Sequence, residues 1–325
     1  MNRKPKVLVV GSLVMDLIVT TERFCEAGES IIGKGFSTAP GGKGANQAVQ
    51  AARLGADVTM VGMVGSDDFG KQLIESAKLS GVNTEYILVT EKVSTAVGNV
   101  QIQQNDKGTE NRILVVPGAN FEISVNDIDF LKDIIKNYDI VILQNEIPTE
   151  INCAVAKLAK ENGVPVMLNP APYRELPEEL ISYLTYISPN EHEAADIAGI
   201  VLEDESEISE AISKIHAMGT TNALITLGKR GCAFSDGKSL TYGNSVDCGK
   251  VMDPTAAGDS FIGAFCTAVA AGADISNALE FANCTAGITV TKMGAQTSLP
   301  LLSDVLEIMN KNNYNTAPFA ILKGE

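Results

Sequence analysis

The sequence predicts an α/β fold built on a mostly parallel central sheet, and three observations carry this prediction. The run from Lys6 to Gly11 is almost entirely apolar and ends in glycine, which is typical of a strand buried on both faces. Later apolar runs alternate with helical segments, as in βαβ units with right-handed crossovers. With 325 residues, 45% of them hydrophobic, the chain can bury a large core. We expect a single α/β domain over residues 1–312 and a loose C-terminal tail at 313–325.

Charge and cysteine content exclude several classes of protein. A net charge of −15 makes nucleic acid and anionic membranes poor partners, so a bound polyphosphate needs backbone amides, a few cations and metal. The six cysteines form no C-x-x-C pair, and two histidines cannot complete a zinc site. The N-terminus has no signal-peptide core, and the apolar run Phe261 to Ala273 is too short for a bilayer. These features predict a cytoplasmic protein with reduced cysteines.

The first strand is followed by a carboxylate, Asp16. In open α/β sheets, ligands bind outside the carboxyl ends of the strands, so this position favours a binding role. A solvated turn aspartate is the alternative.

Two β-rich regions, at about residues 16–40 and 94–118, interrupt the strand–helix rhythm. The asparagine and glycine of Asn105 to Gly108 are typical of a hairpin turn. We expect a small antiparallel sheet that projects as a lid over the binding crevice and forms a dimer surface. Unrelated surface hairpins are the alternative. The predicted strands are Leu17–Thr20, Ile31–Phe36, Thr95–Gln103 and Arg112–Val116.

A glycine-rich segment, Pro40 to Ala48, starts a helix that we expect to run to about Leu54. Glycines at a helix start let a ligand approach the backbone, and Lys43 and Asn46 fall one turn apart on one face. These donors suit the hydroxyl groups of a polar small molecule. A glycine turn with a surface lysine is the alternative, and the spacing does not match a Walker A loop.

In the second half, successive buried strands end in polar residues. Because parallel strands place their carboxyl ends at one edge, these residues indicate a site. Asn190 and Glu193 have the spacing of a capping box; alternatively, they hold Mg²⁺ on ATP phosphates through waters. The strands and their polar ends are Asp139–Leu143 with Gln144, Asn145 and Glu146, Val164–Leu168 with Asn169, Thr185–Ser188 with Asn190, and Ala223–Leu227 with Gly228.

The stretch Asp253 to Phe261 reads as an extended segment running into a helix. The small residues Ala256 to Gly258 leave backbone N–H groups open to an anion at the helix start. Asp259 then places a base beside an anion hole, which is the arrangement for moving a phosphoryl group onto a hydroxyl. A carboxylate that merely balances the helix dipole is the alternative.

Taken together, these motifs resemble the ribokinase family of ATP-dependent sugar kinases, the phosphofructokinase-B type, from about Val7 to Leu306. The resemblance rests on Gly41 to Ala48, on Asp253 to Phe261, and on Asn169–Pro172 and Ser188–Glu193 between them. It implies a three-layer sandwich with a β lid, a homodimer through that lid, and phosphorylation of the 5-hydroxyl of D-ribose.

The resemblance also implies residue roles. Asp259 is the expected base, and the amides of Ala256, Ala257 and Gly258 are the expected anion hole. Expected sugar contacts are Asp16, Gly42, Lys43, Asn46, Glu146 and Asp259. Expected ATP contacts are Asn190, Thr226, Gly228, Gly231, Gly258 and Asn283, with Glu193 acting through Mg²⁺. K⁺ is expected on Asp253, Thr255, Thr289, Lys292, Gly294 and Ser298.

One departure from the family pattern affects the substrate. Val14 stands where ribokinases carry an asparagine that contacts a sugar hydroxyl, and a valine cannot form that hydrogen bond. This change raises 2-deoxyribose, another sugar or a nucleoside as alternative substrates of the same family. A non-enzymatic sugar sensor is a remoter alternative. A Rossmann dehydrogenase is excluded because no G-x-G-x-x-G follows the first strand.

Overall fold

The computed structural model describes residues 3–105 and 108–323, so Asp106 and Lys107 of the predicted hairpin turn lie outside the described residues. The strands are β1 (Lys6–Val10), β2 (Val14–Thr21), β3 (Gly35–Gly41), β4 (Asp57–Gly65), β5 (Val82–Thr90), β6 (Val97–Asn105), β7 (Gly108–Val116), β8 (Ile140–Gln144), β9 (Val166–Asn169), β10 (Tyr186–Ile187), β11 (Asn222–Thr226), β12 (Cys232–Ser235) and β13 (Leu240–Gly243).

The helices alternate with these strands. They are α1 (Lys43–Arg53), α2 (Asp68–Leu79), α3 (Leu131–Ile134), α4 (Thr149–Glu161), α5 (Glu178–Tyr183), α6 (Glu191–Ala198), α7 (Glu205–Ala217), α8 (Ala257–Ala270), α9 (Ile275–Thr289) and α10 (Leu302–Lys311). Across the described residues, none of these helices has both the length and the apolar character that crossing a membrane requires.

Within the described residues, nine strands form the main sheet in the order β13-β12-β11-β10-β9-β8-β1-β4-β5. The strands from β11 to β5 run parallel, and β12 and β13 add an antiparallel edge. Chain order reverses at β1, which lies between β4 and β8. Open sheets bind ligands at such a switch point, outside the carboxyl ends of the strands.

Apolar side chains fill the space on both faces of the main sheet. Val7 and Val9 of β1 belong to one buried cluster, with residues of α1, α8, α9 and α10. Leu8 and Val10 belong to a second cluster, with residues of α4, α5 and α7. Since successive side chains of a strand point to opposite faces, the sheet is the middle of three layers.

The lid sheet has the order β3-β2-β6-β7 in the described part of the chain. Its outer pairs are antiparallel, as predicted, but the central pair β2–β6 is parallel. The reason is topological, because β2 follows β1 and β6 follows β5, and these two strands leave the main sheet in the same direction.

The prediction of a loose tail beyond residue 312 is wrong. A 3₁₀ segment, Ala317–Lys323, packs on the body of the protein. Phe319 is fully buried and stacks on Phe281 with ring centroids 4.2 Å apart, and Leu322 is 2% exposed. The sequence reads as a tail because the segment has no helical period, yet its two apolar side chains are enough to anchor it.

Candidate active site

A cavity of about 210 Å³ opens at the carboxyl edge of the main sheet, beside the start of α8. It brings together residues predicted from separate motifs, and Asn169 and Ser188 complete its wall. Among the described residues that line it, Lys43 is the only cationic one. The predicted site residues in the wall are Lys43, Asn190, Glu193, Thr226, Ala256, Ala257, Gly258 and Asp259.

Asp259 lies in the first turn of α8 and is 7% exposed. Its Oδ2 accepts a hydrogen bond from Asn46 Nδ2, and its Oδ1 accepts one from Gln47 Nε2, each at 2.9 Å. Helix α1 therefore supplies two amide donors that fix the carboxylate from one side. A buried carboxylate held this way faces the cavity in a defined orientation.

The start of α8 presents its backbone to the cavity. Ala256 caps the helix in the left-handed region, with φ of 61°, and its carbonyl accepts the first helical hydrogen bond from Ser260 N at 2.8 Å. Helix geometry leaves the amides of Gly258 and Asp259 without an acceptor in the helix. The Ala257 amide donates to the Pro254 carbonyl at 3.2 Å, so it is engaged locally.

Lys43, the first residue of α1, carries its ammonium among three carboxylates. Burial alone would lower the pKa of Lys43, but the charges of Asp259, Glu146 and Glu193 outweigh burial and raise it. The lysine is therefore a fixed positive charge in a strongly acidic protein. Its side chain lines the cavity together with Asp259 and Glu193.

Asp16 lies on β2 in a slot that two glycines create. A Cβ at Gly41 would lie 2.6 Å from Asp16 Oδ2, and one at Gly98 would lie 2.4 Å from Asp16 Oδ1. Burial, followed by the negative charge of Glu146, raises the pKa of Asp16 to about 6. Two neighbouring acidic groups of this kind suit the hydroxyl groups of a sugar.

Glu146 follows β8 and joins the first strand to the glycine-rich motif. Its Oε2 accepts hydrogen bonds from Ser12 Oγ at 2.5 Å and from the Lys43 backbone N–H at 2.9 Å. Gly42 caps α1 with φ of 92°, and a Cβ there would lie 2.8 Å from Val14 N. The close contact that glycine permits lets the start of α1 pack against the backbone of Ser12 to Val14.

On the proposed nucleotide side, Asn190 and Glu193 form a reciprocal capping box at the start of α6, with both bonds at 2.9 Å. Burial raises the pKa of Glu193, which also borders the cavity. Asn190 and Glu193 therefore cap the helix and also line the cavity. Thr226, at the end of β11, pairs with Asn190 through a parallel bridge.

Three predicted ATP contacts lie outside the cavity. Gly228 and Gly231 form the turn between β11 and β12, with φ of 53° and 85°. Asn283 is 5% exposed on α9, and its Nδ2 donates to Cys232 Sγ at 3.4 Å. Their contact with a nucleotide remains a prediction.

Asp253 links two of the segments that carry predicted cation ligands. Its Oδ1 accepts from Thr255 N and its Oδ2 from Gly294 N, each at 2.9 Å, which ties the two predicted ligand segments together. Burial alone would raise the pKa of Asp253, but these hydrogen bonds outweigh it and lower the pKa. The other predicted ligands, Thr289, Lys292 and Ser298, lie on α9 and in the loop after it. Across the described residues, no three or more His, Cys, Asp or Glu side chains gather as a metal site.

Sequence reasoning missed three residues of this site. Gln47 bonds Asp259, Ser12 bonds Glu146, and Gly98 makes room for Asp16. Gly98 had a readable signal, because an isolated glycine inside a strand pattern indicates close approach of other groups. The other two depend on which elements pack together in the fold.

A carboxylate at the open start of a helix, with a lysine beside it and a second buried acidic residue on the lid sheet, defines an α/β phosphotransferase acting on a hydroxylated small molecule. The model described as "pfkB family carbohydrate kinase" matches residues 4–302, and the chain belongs to this family. The protein is therefore an ATP-dependent sugar kinase.

Individual relatives agree with this family. The ribokinase of Bacillus subtilis (strain 168) is 40% identical over 304 residues, covering 94% of this chain and 99% of the relative. That of Lactococcus lactis subsp. lactis (strain IL1403) is 38% identical over 301 residues, covering 92% and 95%. Arabidopsis thaliana ribokinase complexed with ribose and ATP matches with a TM-score of 0.88 at 35% identity, covering 94% and 99%. The predicted family and ribokinase-like α/β fold are confirmed.

Proposed function

We propose that this sugar kinase transfers the γ-phosphoryl group of ATP to the 5-hydroxyl of D-ribose. The observation that carries this proposal is the buried Asp259 carboxylate at the open start of α8, in a cavity that also holds Lys43. Named ribokinases among the relatives, one of them complexed with ribose and ATP, supply the substrate pair.

In the proposed reaction, Asp259 accepts the proton of the sugar hydroxyl. The hydroxyl oxygen forms a bond to the γ-phosphorus as the bond from that phosphorus to the bridging oxygen of ADP breaks. The Gly258 amide donates to the phosphoryl oxygens, with Ala256 and Ala257 shaping the turn, and Lys43 offsets the charge. Positioning and electrostatics supply most of the rate enhancement in such transfers.

The sugar is held by Asp16, Glu146 and Asn46, next to the Gly42–Lys43 turn. Asn46 supports this assignment directly, because its Oδ1 is buried with no partner in the described structure while its Nδ2 bonds Asp259. A buried carbonyl oxygen of this kind is costly unless a ligand donates to it. A sugar hydroxyl next to Asp259 would do so.

The nucleotide extends over Asn190, Thr226, Gly228 and Gly231 towards Asn283. Glu193 and Asn190 offer oxygen ligands of the type that Mg²⁺ prefers, and would hold the ion through waters. When bound, Mg²⁺ would neutralise phosphate charge. K⁺ would lie against oxygens of Asp253, Thr255, Thr289, Lys292, Gly294 and Ser298. The hydrogen bond from Gly294 N to Asp253 joins two of the segments that carry these residues.

The lid supports a homodimer. Strand β7 exposes Ile113 by 59% and Leu114 by 67%, and Phe36 of β3 is 68% exposed. Exposed apolar surface on this scale favours a protein–protein contact.

We also propose that the protein is cytoplasmic, because its six cysteines are all free thiols.

The test is ADP release by the purified protein with Mg-ATP, K⁺ and D-ribose, comparing wild type with Asp259→Asn. We expect the variant to lose at least 10³-fold in kcat and to keep ATP affinity within about threefold, since it loses the base but not the nucleotide contacts. Unchanged turnover in Asp259→Asn would refute the base assignment.

A second candidate substrate is 2-deoxy-D-ribose. Val14 is 4% exposed, and its Cγ1 borders the slot in which the Asp16 carboxylate lies. A methyl group there favours a sugar that lacks one hydroxyl. The same assay with both sugars at low concentration decides between them: a higher kcat/KM for ribose supports ribokinase activity, and a higher value for 2-deoxyribose supports the alternative. Activity with neither would redirect the search to other sugars and nucleosides.

A further inference from the structure

We infer that Gln47 is a positioning residue that holds the catalytic base, Asp259, in the orientation needed to accept the proton. The inference rests on the proposed role of Asp259. Gln47 is fully buried on α1, and its Nε2 lies 2.9 Å from Asp259 Oδ1. Its amide is bonded entirely to protein side chains, so it acts on the reaction through Asp259.

Every hydrogen-bonding group of the Gln47 amide is engaged. Its Nε2 also donates to Asn169 Oδ1 at 3.2 Å, and its Oε1 accepts from Gln144 Nε2 at 2.7 Å. Gln144 is itself fully buried at the end of β8. Hydrogen bonds with β8 and β9 therefore fix the Gln47 amide of α1 against Asp259 of α8.

The charge of Asp259 decides which way this amide points. An ionised carboxylate only accepts hydrogen bonds, so the NH₂ group of Gln47 must face Asp259 and its oxygen must face Gln144. Flipping the Gln47 amide would set oxygen against oxygen at Asp259 and nitrogen against nitrogen at Gln144. The arrangement has one low-energy state, which is what a base held at a fixed angle requires.

Asn46 and Gln47 each bind a different oxygen of the Asp259 carboxylate. Asn46 occupies Oδ2 and has a free buried carbonyl oxygen for substrate, whereas Gln47 occupies Oδ1 and has none. Asn46 can therefore contact both substrate and base. Gln47 contacts Asp259 and not the substrate. Replacing Gln47 should therefore affect kcat much more than KM.

The experiment combines Gln47→Leu with Asp259→Asn. In the wild-type background, we expect Gln47→Leu to lower kcat at least tenfold and to change the KM of sugar and ATP by less than about threefold. In the Asp259→Asn background, the same substitution should change the residual rate by less than about twofold, because a residue that acts through Asp259 has nothing left to position. A radiolabelled-ATP assay measures this residual rate.

A matched control is Gln50→Leu, one turn along α1. Gln50 is also fully buried and donates one hydrogen bond, to the Pro300 carbonyl at 3.1 Å, away from Asp259. We expect a comparable loss of thermal stability and a kcat within about twofold of wild type. If Gln47→Leu does not fold, Gln47→Glu keeps the shape and replaces the donor with an acceptor, and the same kcat loss is expected.

The outcomes separate the two claims. If Asp259→Asn abolishes turnover but Gln47→Leu and Gln47→Glu leave kcat unchanged, the positioning role is wrong and the base assignment stands. Equal losses for Gln47→Leu with and without Asp259 would indicate a purely structural role and would also overturn the inference. If Asp259→Asn keeps full turnover, the proposed function itself fails.

Discussion

Ionisation of Asp16 lowers the stability of the folded protein. Its pKa is raised to about 6 by burial and by the charge of Glu146, against 3.8 for the unperturbed group. The folded protein therefore binds the proton more tightly than the unfolded chain. Stability falls as pH rises from about 4 to about 6, and the full cost remains above that range. A buried carboxylate with a pKa shifted in this way is typical of functional sites, which supports the proposed role of Asp16 in holding substrate.

Asp16→Asn should remove this cost. At pH 8 we expect the variant to unfold with a free energy about 1–3 kcal/mol higher than wild type, and the gain should vanish towards pH 4. Urea unfolding between pH 4 and pH 8 measures it. Asp68→Asn, whose side chain is 86% exposed on α2, provides the surface reference. A gain that is the same at every pH would contradict the assignment, and KM for the sugar should rise in any case.

Among the site residues, those that directly follow a buried strand could be predicted from the sequence. Asp16, Glu146 and Asn190 follow buried strands, and parallel topology alone brings their strand ends to one edge. Gln47 could not be found in this way. It lies about 100° around α1 from Asn46, and whether that direction faces solvent or Asp259 depends on how α1 packs on α8.

Helix α8 illustrates how an element can favour function over its own stability. Its N-cap, Ala256, adopts a positive φ of 61°, and Gly258 occupies its first turn. Glycine in a helix costs about 0.5–1 kcal/mol relative to alanine. Yet a Cβ at Gly258 would meet nothing within 4 Å, so packing does not require glycine there. Access of the phosphoryl group to the backbone is the remaining reason.

Gly258→Ala should therefore separate stability from activity. We expect Tm to be unchanged or to rise by about 1–2 °C, because the substitution relieves the glycine penalty without a clash. We expect kcat/KM to fall about tenfold or more, because the methyl group obstructs the amide that binds the phosphoryl oxygens. Thermal unfolding and the ADP assay measure both. Gly35→Ala on the lid edge, where an added Cβ also meets open space, should change neither; a fully active Gly258→Ala would contradict this role.

Sequence pattern predicted the buried elements better than the edges. The apolar run Asp57–Gly65 predicts a buried strand, and β4 has the same bounds. The edge strands β5, β12 and β13 were missed, and β13 is largely exposed, so it carries no apolar run that could mark it. The predicted strand Ile31–Phe36 is displaced to Gly35–Gly41 for a similar reason, since β3 is largely exposed and its register is set by pairing with β2.

At the scale of the whole molecule, the lid sheet carries both a residue of the site, Asp16, and the surface that we propose for the dimer. The face of β6 that carries Gly98 makes the Asp16 slot, while the neighbouring strand β7 exposes the apolar side chains of residues 113–116 at its C-terminal end. A second copy that covers this surface would also fix the lid over the sugar pocket. Assembly and substrate binding would then be coupled through one sheet.

The test of this assembly uses two adjacent residues of β7. Ile113 and Leu114 point to opposite faces of the lid, because side chains alternate along a strand. In sedimentation equilibrium, wild type should have twice the chain mass of 34.3 kDa, and Ile113→Glu or Leu114→Glu should yield a monomer when it places a charge inside the interface. The variant that dissociates identifies the covered face, and its KM for sugar should rise more than its KM for ATP. A monomeric wild type, or dimers in both variants, would contradict the lid interface.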